Sequence, residues 1–392
     1  MAARRKVMTI FGSRPEGIKM APVIQELRRH PDWFETVVVS TGQHREQLDQ
    51  VFTAFGFEAD RDLAIMQPRQ TLTDIMVRAL SGLDALLAEE RPDLVLVHGD
   101  TSTTAAGALA AFYHKIPVGH VEAGLRTFDK YNPYPEEINR RIAGIIADIQ
   151  FAPTPRAREH LIAEHIDPET IFVTGQTGVD AALTVLSQPH TFSVPALRDI
   201  DFDRYRVVVM TAHRRENLGE PMRNMFRAVR DLVDRFPDVL LVYAVHLNPA
   251  VRELAWPILG GHPRILLLDP LPYPDMIHLA ARSYMAMTDS GGIQEETPSM
   301  GVPHVLMRET TERPEALEAG VILLSGTSYE GVYAAGERLL TDRALYQRMA
   351  RAQNPFGDGR ASRRIAEYLG WRFGFLPEKP APFDPHRPRA EG

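Results

Sequence analysis

Short runs of apolar residues alternate along the chain with longer segments in which apolar residues recur every three or four positions. The short runs predict β-strands, and the longer segments, such as 71–90 and 103–114, predict amphipathic helices. Strands that alternate with helices in this way are typical of parallel sheets. In the first half of the chain the predicted strands are 6–11, 36–40, 93–99, 117–122, 149–154 and 170–175.

The alternation stops at residues 186–205, which are rich in Pro, Ser and Asp and predict a linker after a first domain at 1–185. A second set of strands is predicted at 206–213, 239–246, 264–269, 284–289, 304–307 and 321–325. The predicted fold class is therefore α/β, with two doubly wound Rossmann-like domains facing a cleft. The Pro-rich residues 375–392 predict a disordered tail.

The composition is that of a globular protein with room for two cores, because 44% of the 392 residues are hydrophobic and 24% are charged. The net charge of −7 provides no overall attraction for nucleic acid or an anionic membrane, so we expect neither as a partner. The absence of cysteine excludes disulfides, thiolate nucleophiles and cysteine-bound zinc. The first apolar run is broken by Gly12, Ser13 and Arg14 and is too short for the hydrophobic region of a signal peptide. No segment approaches the length of a membrane span either, and both observations predict a cytoplasmic protein.

Polar residues are concentrated directly after the predicted strands, where open parallel sheets bind ligands. The first of these segments, "GSRPEG", precedes a helix that opens at Pro15, so the N–H groups at its start could face an anion. Arg14 and Lys19 would add positive charge there. The glycine spacing is not the GxGxxG pattern of nicotinamide dinucleotide folds, and the segment also fits an ordinary β–α turn.

Three carboxylates lie close to the ends of neighbouring predicted strands: Asp100 in "HGDT", Glu122 in "HVEAGLR" and Glu136 in "PEEINR". An N-cap is the commoner reason for an aspartate in the position of Asp100, and a solvated loop is the alternative for the two glutamates. If the three converge, they suit general acid and base roles on opposite faces of a substrate.

The segment "TDSGGIQEE" places Ser290, Gly291 and Gly292 between a strand and a helix, where backbone N–H groups could contact a diphosphate. Glu295 or Glu296 could then bind ribose hydroxyls. The alternative is a solvated helix start whose acidic residues interact favourably with the helix dipole.

The segment "AHRREN" follows another predicted strand and could place His213 and Arg214 opposite a leaving phosphate. The alternative is a surface loop whose charges neutralise Glu216. "DIDFD" contains a DxD pattern typical of metal-dependent sugar-nucleotide enzymes, but it lies in the predicted linker. The histidines have no zinc-ligand spacing, so we expect no metal site.

Together these segments resemble one known family, in this order along the chain: "FGSRPEGIKMAP", "TGQHREQLDQVF", "VLVHGDTSTT", "VGHVEAGLRT", "PEEINR", "TAHRREN", "VHLNP", "TDSGGIQEE" and "TTERPEA". They are similar to motifs of the bacterial non-hydrolysing UDP-N-acetylglucosamine 2-epimerases. The resemblance extends from residue 6 to residue 362. It implies a glycosyltransferase-B-type fold with a second domain at 206–362, a helix at 363–374 that returns to the first domain, and a homodimer.

The resemblance also implies a reaction: reversible conversion of UDP-N-acetylglucosamine (UDP-GlcNAc) to UDP-N-acetylmannosamine (UDP-ManNAc), which supplies cell-surface polysaccharide synthesis. UDP would be eliminated to leave 2-acetamidoglucal and then re-added, with no cofactor. By motif position, catalysis is assigned to Arg14, Lys19, Asp100, Glu122, Glu136, Arg140 and His213. UDP binding is assigned to Ser290, Gly291, Gly292, Glu296 and Arg313.

Some members of the family bind a second UDP-GlcNAc as an activator. The matching positions in this chain are Gln43, Arg69, Glu136, Arg214 and His246.

The nearest alternative function is a hydrolysing 2-epimerase, which would release ManNAc and UDP. A retaining glycosyltransferase of the same fold would need an acceptor, and a sugar-nucleotide sensor would bind UDP-GlcNAc without turnover.

Overall fold

The computed structural model describes residues 3–42, 45–311 and 313–387. Gln43, one of the positions assigned to the activator, lies outside the described residues. The chain forms two compact units: unit 1 comprises Met1–Thr184 and Phe356–Gly392, and unit 2 comprises Val185–Pro355. Each unit contains a parallel sheet with helices, which confirms the predicted α/β fold class.

The strands, in chain order, are β1 (Arg5–Phe11), β2 (Phe34–Ser40), β3 (Arg61–Asp62), β4 (Leu94–His98), β5 (Val118–Val121), β6 (Ile149–Ala152), β7 (Ile171–Val173), β8 (Arg206–Thr211), β9 (Val239–Ala244), β10 (Ile265–Leu268), β11 (Met285–Thr288), β12 (His304–Leu306) and β13 (Ile322–Leu324). Each predicted strand overlaps one of these. Only the two-residue strand β3 has no counterpart in the prediction, because two polar residues give no apolar run.

The helices are α1 (Arg14–Arg28), α2 (Arg45–Phe55), α3 (Leu72–Glu90), α4 (Ser102–Tyr113), α5 (Glu136–Ile146), α6 (Pro155–Ala163), α7 (Thr177–Leu186), α8 (Pro195–Arg198), α9 (Glu220–Arg235), α10 (Pro249–Leu259), α11 (Tyr273–Arg282), α12 (Gly291–Glu296), α13 (Pro314–Glu318), α14 (Tyr329–Thr341), α15 (Arg343–Arg351) and α16 (Ala361–Arg372). Short 3₁₀ segments lie at Pro168–Thr170, Arg215–Asn217 and Thr297–Met300. Within the described ranges, none of the helices combines the length and the apolar character that a membrane crossing requires.

The sheet of unit 1 has the strand order β3-β2-β1-β4-β5-β6-β7 among the described residues. Alternate residues of β1 and β4, such as Met8, Ile10 and Val97, pack in one core with Ala79 and Leu83 of α3. The intervening residues of β1 and β4 are buried as well. Burial of both faces explains why these strands appear in the sequence as continuous apolar runs.

The sheet of unit 2 has the order β10-β9-β8-β11-β12-β13 in the described part of the chain. One face of β8 packs with α9 around Phe226 and Met210. The other face is covered partly by residues 186–205, the segment predicted to be a linker, which contributes Phe192, Leu197 and Ile200 to a core cluster. The apolar residues of that segment are too widely spaced to produce a recognisable period.

The C-terminal part of the chain packs on unit 1. Helix α16 contacts α1, and the Asp180 carboxylate accepts hydrogen bonds from the N–H groups of Ala361 and Ser362 at the start of α16, at 3.1 and 2.7 Å. These bonds join α16 to helix α7, which carries Asp180.

Residues 375–387 differ from the disordered tail that their composition predicts. Phe383 is 3% exposed, and its N–H donates to the Val173 carbonyl of edge strand β7 at 2.8 Å. The Lys379 ammonium lies 5.3–5.9 Å from the ring centroids of Phe172, Tyr368 and Trp371. Phe383 and Lys379 therefore hold residues 375–387 against unit 1, although the apolar residues of this segment do not recur at a regular spacing.

Candidate functional site

The turn between β1 and α1 is organised by Glu16, a buried residue that the motif analysis did not single out. Its Oε2 accepts hydrogen bonds from the N–H groups of Gly12 and Ser13 at 3.1 and 2.8 Å. Its Oε1 accepts from the hydroxyls of Thr101 and Thr104 at 2.7 and 3.1 Å. Glu16 thus joins the start of α1 to the start of α4. The capping-box spacing from Ser13 to Glu16 is the sequence signal that indicates it.

Lys19 and Glu122 form an ion pair in which Nζ lies 2.5 Å from Oε2, and their side chains are 16% and 8% exposed. His98 Nε2 lies 3.4 Å from the same oxygen. Burial acts to raise the pKa of Glu122, but the Lys19 ammonium and His98 outweigh it and hold the pKa of this carboxyl well below its ordinary value. Glu122 is therefore an ionised, mostly buried carboxylate rather than part of a solvated loop.

The backbone at Glu122 adopts a φ of 66°, which is uncommon for a residue with a side chain. Strained backbone of this kind clusters at active sites, although it also occurs at ordinary helix ends such as Arg91. Glu122 follows directly after β5, which is the position where a parallel sheet presents side chains to a ligand.

Asp100 follows β4 and is bound to Arg140 of α5. Thr101, not Asp100, caps helix α4, because the Thr101 hydroxyl accepts the Thr104 N–H at 3.2 Å. The N-cap interpretation of Asp100 is therefore wrong. Its carboxylate instead accepts a hydrogen bond from the Arg140 guanidinium. Glu136 begins α5, one helical turn before Arg140, so α5 brings two of the predicted residues to the same end of the sheet.

His120 of β5 is a buried histidine beside this cluster that the motif analysis did not assign. Its Nε2 lies 2.7 Å from the Gly99 carbonyl oxygen, one residue before Asp100. Burial lowers the pKa of His120 to about 4, so the ring is neutral at neutral pH and donates to that carbonyl. The contact fixes the peptide that precedes Asp100.

In unit 2, Asp289 fixes the turn that follows β8. It is 0% exposed, and its carboxylate accepts the N–H groups of His213 and Arg214 at 3.0 and 2.9 Å and the Asn217 side-chain amide at 3.2 Å. The His213 ring stacks on that of His246 with centroids 5.4 Å apart. Burial lowers the pKa of His213, and His246 and Arg214 act in the same direction while Asp289 opposes them. The structure thus brings three predicted residues, His213, Arg214 and His246, together.

Ser290 occupies the N-cap position of helix α12 without a capping hydrogen bond to its side chain, and the two glycines that follow differ in their surroundings. A Cβ added to Gly291 would lie 2.9 Å from an Arg313 guanidinium nitrogen, whereas one added to Gly292 would meet nothing within 4 Å. Arg313 therefore lies against the backbone of Gly291. Gly292 faces open space.

The two carboxylates of α12 have different partners. Arg313 Nε donates to Glu295 Oε1 at 2.6 Å, and Glu295 is 2% exposed. Tyr273 donates its hydroxyl hydrogen to Glu296 Oε1 at 3.2 Å. Glu295 thus holds Arg313 in place. Glu296, in contrast, is held by the Tyr273 hydroxyl.

The remaining activator position in unit 1, Arg69, lies in the exposed segment before α3 with a φ of 58°. In unit 2, His246 is exposed and Arg214 is partly buried. Among residues 3–42, 45–311 and 313–387, no group of three or more histidine, aspartate and glutamate side chains has an arrangement that could hold a metal ion.

Comparison with known proteins places these motifs in a family. Residues 25–370 match the model of the UDP-N-acetylglucosamine 2-epimerase family. The chain is 52% identical over 378 residues to the UDP-N-acetylglucosamine 2-epimerase of Bacillus subtilis, covering 96% of this chain and 98% of the relative. It is also 52% identical to a putative enzyme of the same name from Thermotoga maritima, with 96% and 99% covered.

Solved structures agree with this assignment. The putative UDP-N-acetylglucosamine 2-epimerase of Listeria monocytogenes has a TM-score of 0.91 at 49% identity, with 97% of this chain and 100% of that chain covered. The Neisseria meningitidis UDP-GlcNAc 2-epimerase, solved bound to UDP-GlcNAc, has a TM-score of 0.85 at 42% identity, with 93% and 99% covered.

A more distant likeness concerns the fold alone. The glycotransferase of kitacinnamycin has a TM-score of 0.63 at 15% identity, with 94% of this chain and 99% of that chain covered. It confirms the predicted glycosyltransferase-B-type fold class. With a family model that matches most of its length and relatives at about half identity, the chain belongs to the UDP-N-acetylglucosamine 2-epimerase family.

Proposed function

We propose that this protein interconverts UDP-GlcNAc and UDP-ManNAc without net hydrolysis, and so supplies cell-surface polysaccharide synthesis. The observation that carries the proposal is the pair of charge contacts at neighbouring strand ends of unit 1, Lys19 with Glu122 and Asp100 with Arg140. The Neisseria meningitidis relative, at 42% identity, was solved with UDP-GlcNAc bound. A base, an acid and cations for a leaving diphosphate are what this reaction requires.

The chemistry explains why both charge types are needed. The C2 hydrogen of the sugar has no neighbouring carbonyl, so a carboxylate cannot remove it directly. When the C1–O bond breaks, its electron pair leaves with UDP and C1 gains oxocarbenium character. Loss of the C2 proton to a carboxylate then gives 2-acetamidoglucal. Protonation of C2 from the other face and return of UDP to C1 complete the epimerisation.

The residues take roles that fit their surroundings. Asp100, Glu122 and Glu136 carry the acid and base work, and Asp100 and Glu122 are each bound to a different cationic side chain. A second set stabilises the leaving UDP by its positive charge or hydrogen bonds: Arg14, Lys19, Arg140 and His213. In unit 2 the nucleotide is bound by Ser290, Gly291, Gly292, Glu296 and Arg313.

Turnover in D2O tests the mechanism, because the proton removed from one face is not the one returned to the other. Deuterium should appear at C2 of the UDP-ManNAc product, with UDP still attached. Asp100→Asn, Glu122→Gln and Glu136→Gln should each lower kcat by about 10²–10⁴-fold while UDP still binds. Epimerisation without solvent deuterium at C2 would contradict elimination and re-addition.

The same assay separates the alternatives. Release of free ManNAc with UDP would indicate a hydrolysing enzyme. Tight binding of UDP-GlcNAc without any change at C2 would indicate a sensor. Transfer of the sugar to an added acceptor, with C2 unchanged, would indicate a glycosyltransferase.

We also propose a homodimer. Helices α3, α4 and α5 lie side by side, and large apolar side chains on them are exposed: Val77 by 55%, Phe112 by 59%, Tyr113 by 62% and Ile145 by 78%. A second copy of the chain would remove this apolar surface from water. Sedimentation should give a dimer, and Ile145→Asp should weaken it more than Leu317→Asp, which introduces the same charge on unit 2.

A further inference from the structure

Glu137 is a buried carboxylate beside the proposed acid/base residues that has no role in the mechanism above. It lies on the first turn of α5 and is 0% exposed. Its Oε2 accepts a hydrogen bond from the N–H of Thr127 at 3.1 Å, and its Oε1 accepts the N–H of Phe128 at 3.3 Å. Burial of a charge is costly unless it is paired and hydrogen-bonded, and these contacts supply such hydrogen bonds.

Two arginines of α5 also bind Glu137. Arg141 donates from Nε and NH2 to Glu137 Oε1 at 3.2 and 3.1 Å, and Arg140 NH1 donates to Oε2 at 3.3 Å. The other terminal nitrogen of Arg140, NH2, donates to Asp100. Because the guanidinium is planar and rigid, fixing NH1 against Glu137 also fixes the direction in which NH2 points.

Glu137 also holds the loop that joins Glu122 to Glu136. Thr127, whose N–H binds Glu137, donates its hydroxyl hydrogen to the Asn132 carbonyl oxygen at 2.5 Å. The two ends of the loop are the proposed acid/base residues themselves. A single buried carboxylate therefore contacts both the loop between them and the arginine bound to Asp100.

We propose that Glu137 is a positioning residue, which sets the acid/base geometry by orienting Arg140 toward Asp100 and by folding the loop at residues 123–135. This role rests on the proposed epimerase function. It assigns to the second glutamate of "PEEINR" a task distinct from that of Glu136: Glu137 contacts protein groups, not substrate.

Glu137→Gln tests the proposal because it keeps the side-chain volume but removes the charge and one acceptor oxygen. We expect kcat for UDP-GlcNAc epimerisation to fall by about 10²-fold, the scale of a small misplacement of catalytic groups. The half-saturating UDP-GlcNAc concentration and the affinity for UDP should change little, since Arg140 acts on UDP as it leaves and the residues proposed to bind the nucleotide before that step lie in unit 2. If Glu137 only stabilised the fold, Glu137→Gln would lower the unfolding temperature but would not lower kcat selectively while leaving the affinity for UDP unchanged.

Arg141→Gln is the matched control. It removes two hydrogen bonds to the same carboxylate and a 3.8 Å contact with Glu164, but it leaves the contacts of Arg140 intact. Its kcat should stay close to that of the wild type even if its unfolding temperature falls. A loss of kcat in Arg141→Gln as large as that in Glu137→Gln would overturn the proposal.

A double-mutant cycle with Arg140→Gln tests the route through Arg140. If Glu137 acts through this guanidinium, the kcat losses of the two single variants should not multiply in the double variant. Full multiplication, or wild-type kcat in folded Glu137→Gln, would contradict the proposal. If Glu137→Gln does not fold, Glu137→Asp replaces it in the cycle with the same expected coupling. Absence of epimerisation in the wild type would instead refute the proposed function.

Discussion

At the scale of single residues, buried carboxylates hold the turns that carry the candidate site. Glu16 binds the N–H groups of Gly12 and Ser13 after β1, and Asp289 binds those of His213 and Arg214 after β8. Backbone amides at these strand ends are thus paired within the protein. The turns keep their conformation before any substrate arrives, which lowers the reorganisation that catalysis requires.

His120 gives unit 1 a stability that depends on pH. Its pKa is about 4 in the folded protein and 6.5 when unperturbed, so between these values the unfolded chain binds more protons. The stabilisation is therefore complete above pH 6.5 and is lost as pH falls toward 4, by about 3 kcal/mol in total. Urea unfolding of His120→Gln should show a shallower decline over this range than the wild type.

The glutamine keeps an Nε2 donor that can reach the Gly99 carbonyl, so the comparison isolates the titration. His386→Gln, which changes an exposed histidine, should reproduce the wild-type profile. Parallel declines of wild type and His120→Gln between pH 6.5 and 4 would show that His120 does not titrate in this way.

Much of the candidate site could be predicted from the sequence, because its polar and charged residues follow strands whose apolar runs are easy to recognise. The residues that form hydrogen bonds with them could not be predicted. Asp289 and the His213 amide it binds are separated by 76 residues, and Thr101 and Glu16 by 85. Such pairs depend on strand order and side-chain direction, neither of which a local pattern contains.

At the scale of elements, the strands of both sheets other than β3 were predictable because burial makes most of their residues apolar. Segments held by single anchors were not predictable. Residues 186–205 are fixed partly by Asp275, which accepts the N–H groups of Ser193 and Val194 at 3.0 Å each. Residues 375–387 are fixed by Phe383 and Lys379. Such anchoring residues cannot be recognised in a Pro-rich segment, because they do not recur at a regular spacing along the sequence.

The C-terminal segment should stabilise unit 1 through Phe383. Phe383→Ala removes a buried ring beside edge strand β7 and its contact with Arg364, whose guanidinium lies 5.4 Å from the ring centroid. We expect a loss of about 3–5 kcal/mol in the free energy of unfolding, measured by urea titration. Glu378→Ala, at an exposed position of the same segment, should change it by less than about 0.5 kcal/mol. Equal stabilities of the two variants would contradict an anchoring role for Phe383.

At the scale of the whole molecule, the resemblance assigns five positions to an activator: Gln43, Arg69, Glu136, Arg214 and His246. We propose that a second UDP-GlcNAc acts through them. The rate should then depend sigmoidally on UDP-GlcNAc, and UDP-ManNAc alone should react slowly until some UDP-GlcNAc is added. Arg69→Ala should reduce that stimulation. Hyperbolic kinetics in both directions would count against an activator site.

The two units have separate cores, and the residues proposed to bind the nucleotide before it leaves, Ser290, Gly291, Gly292, Glu296 and Arg313, lie in unit 2. UDP at about 100 times its Kd should therefore stabilise the folded state of unit 2 by about 2.7 kcal/mol, since a ligand that binds only the folded state shifts the unfolding equilibrium by mass action. Hydrogen exchange should slow at residues 289–292 and around Arg313, and much less in the sheet of unit 1.

Gly292→Val tests whether the diphosphate of UDP binds beside the backbone of Gly292. A Cβ there meets nothing within 4 Å, so the fold should tolerate the side chain, while the same change at Gly291 would disturb Arg313 as well. The branched side chain would occupy the space through which a diphosphate approaches the backbone, and UDP affinity measured by calorimetry should fall. Unchanged affinity and unchanged protection of residues 289–292 in Gly292→Val would mean that UDP binds elsewhere in the molecule.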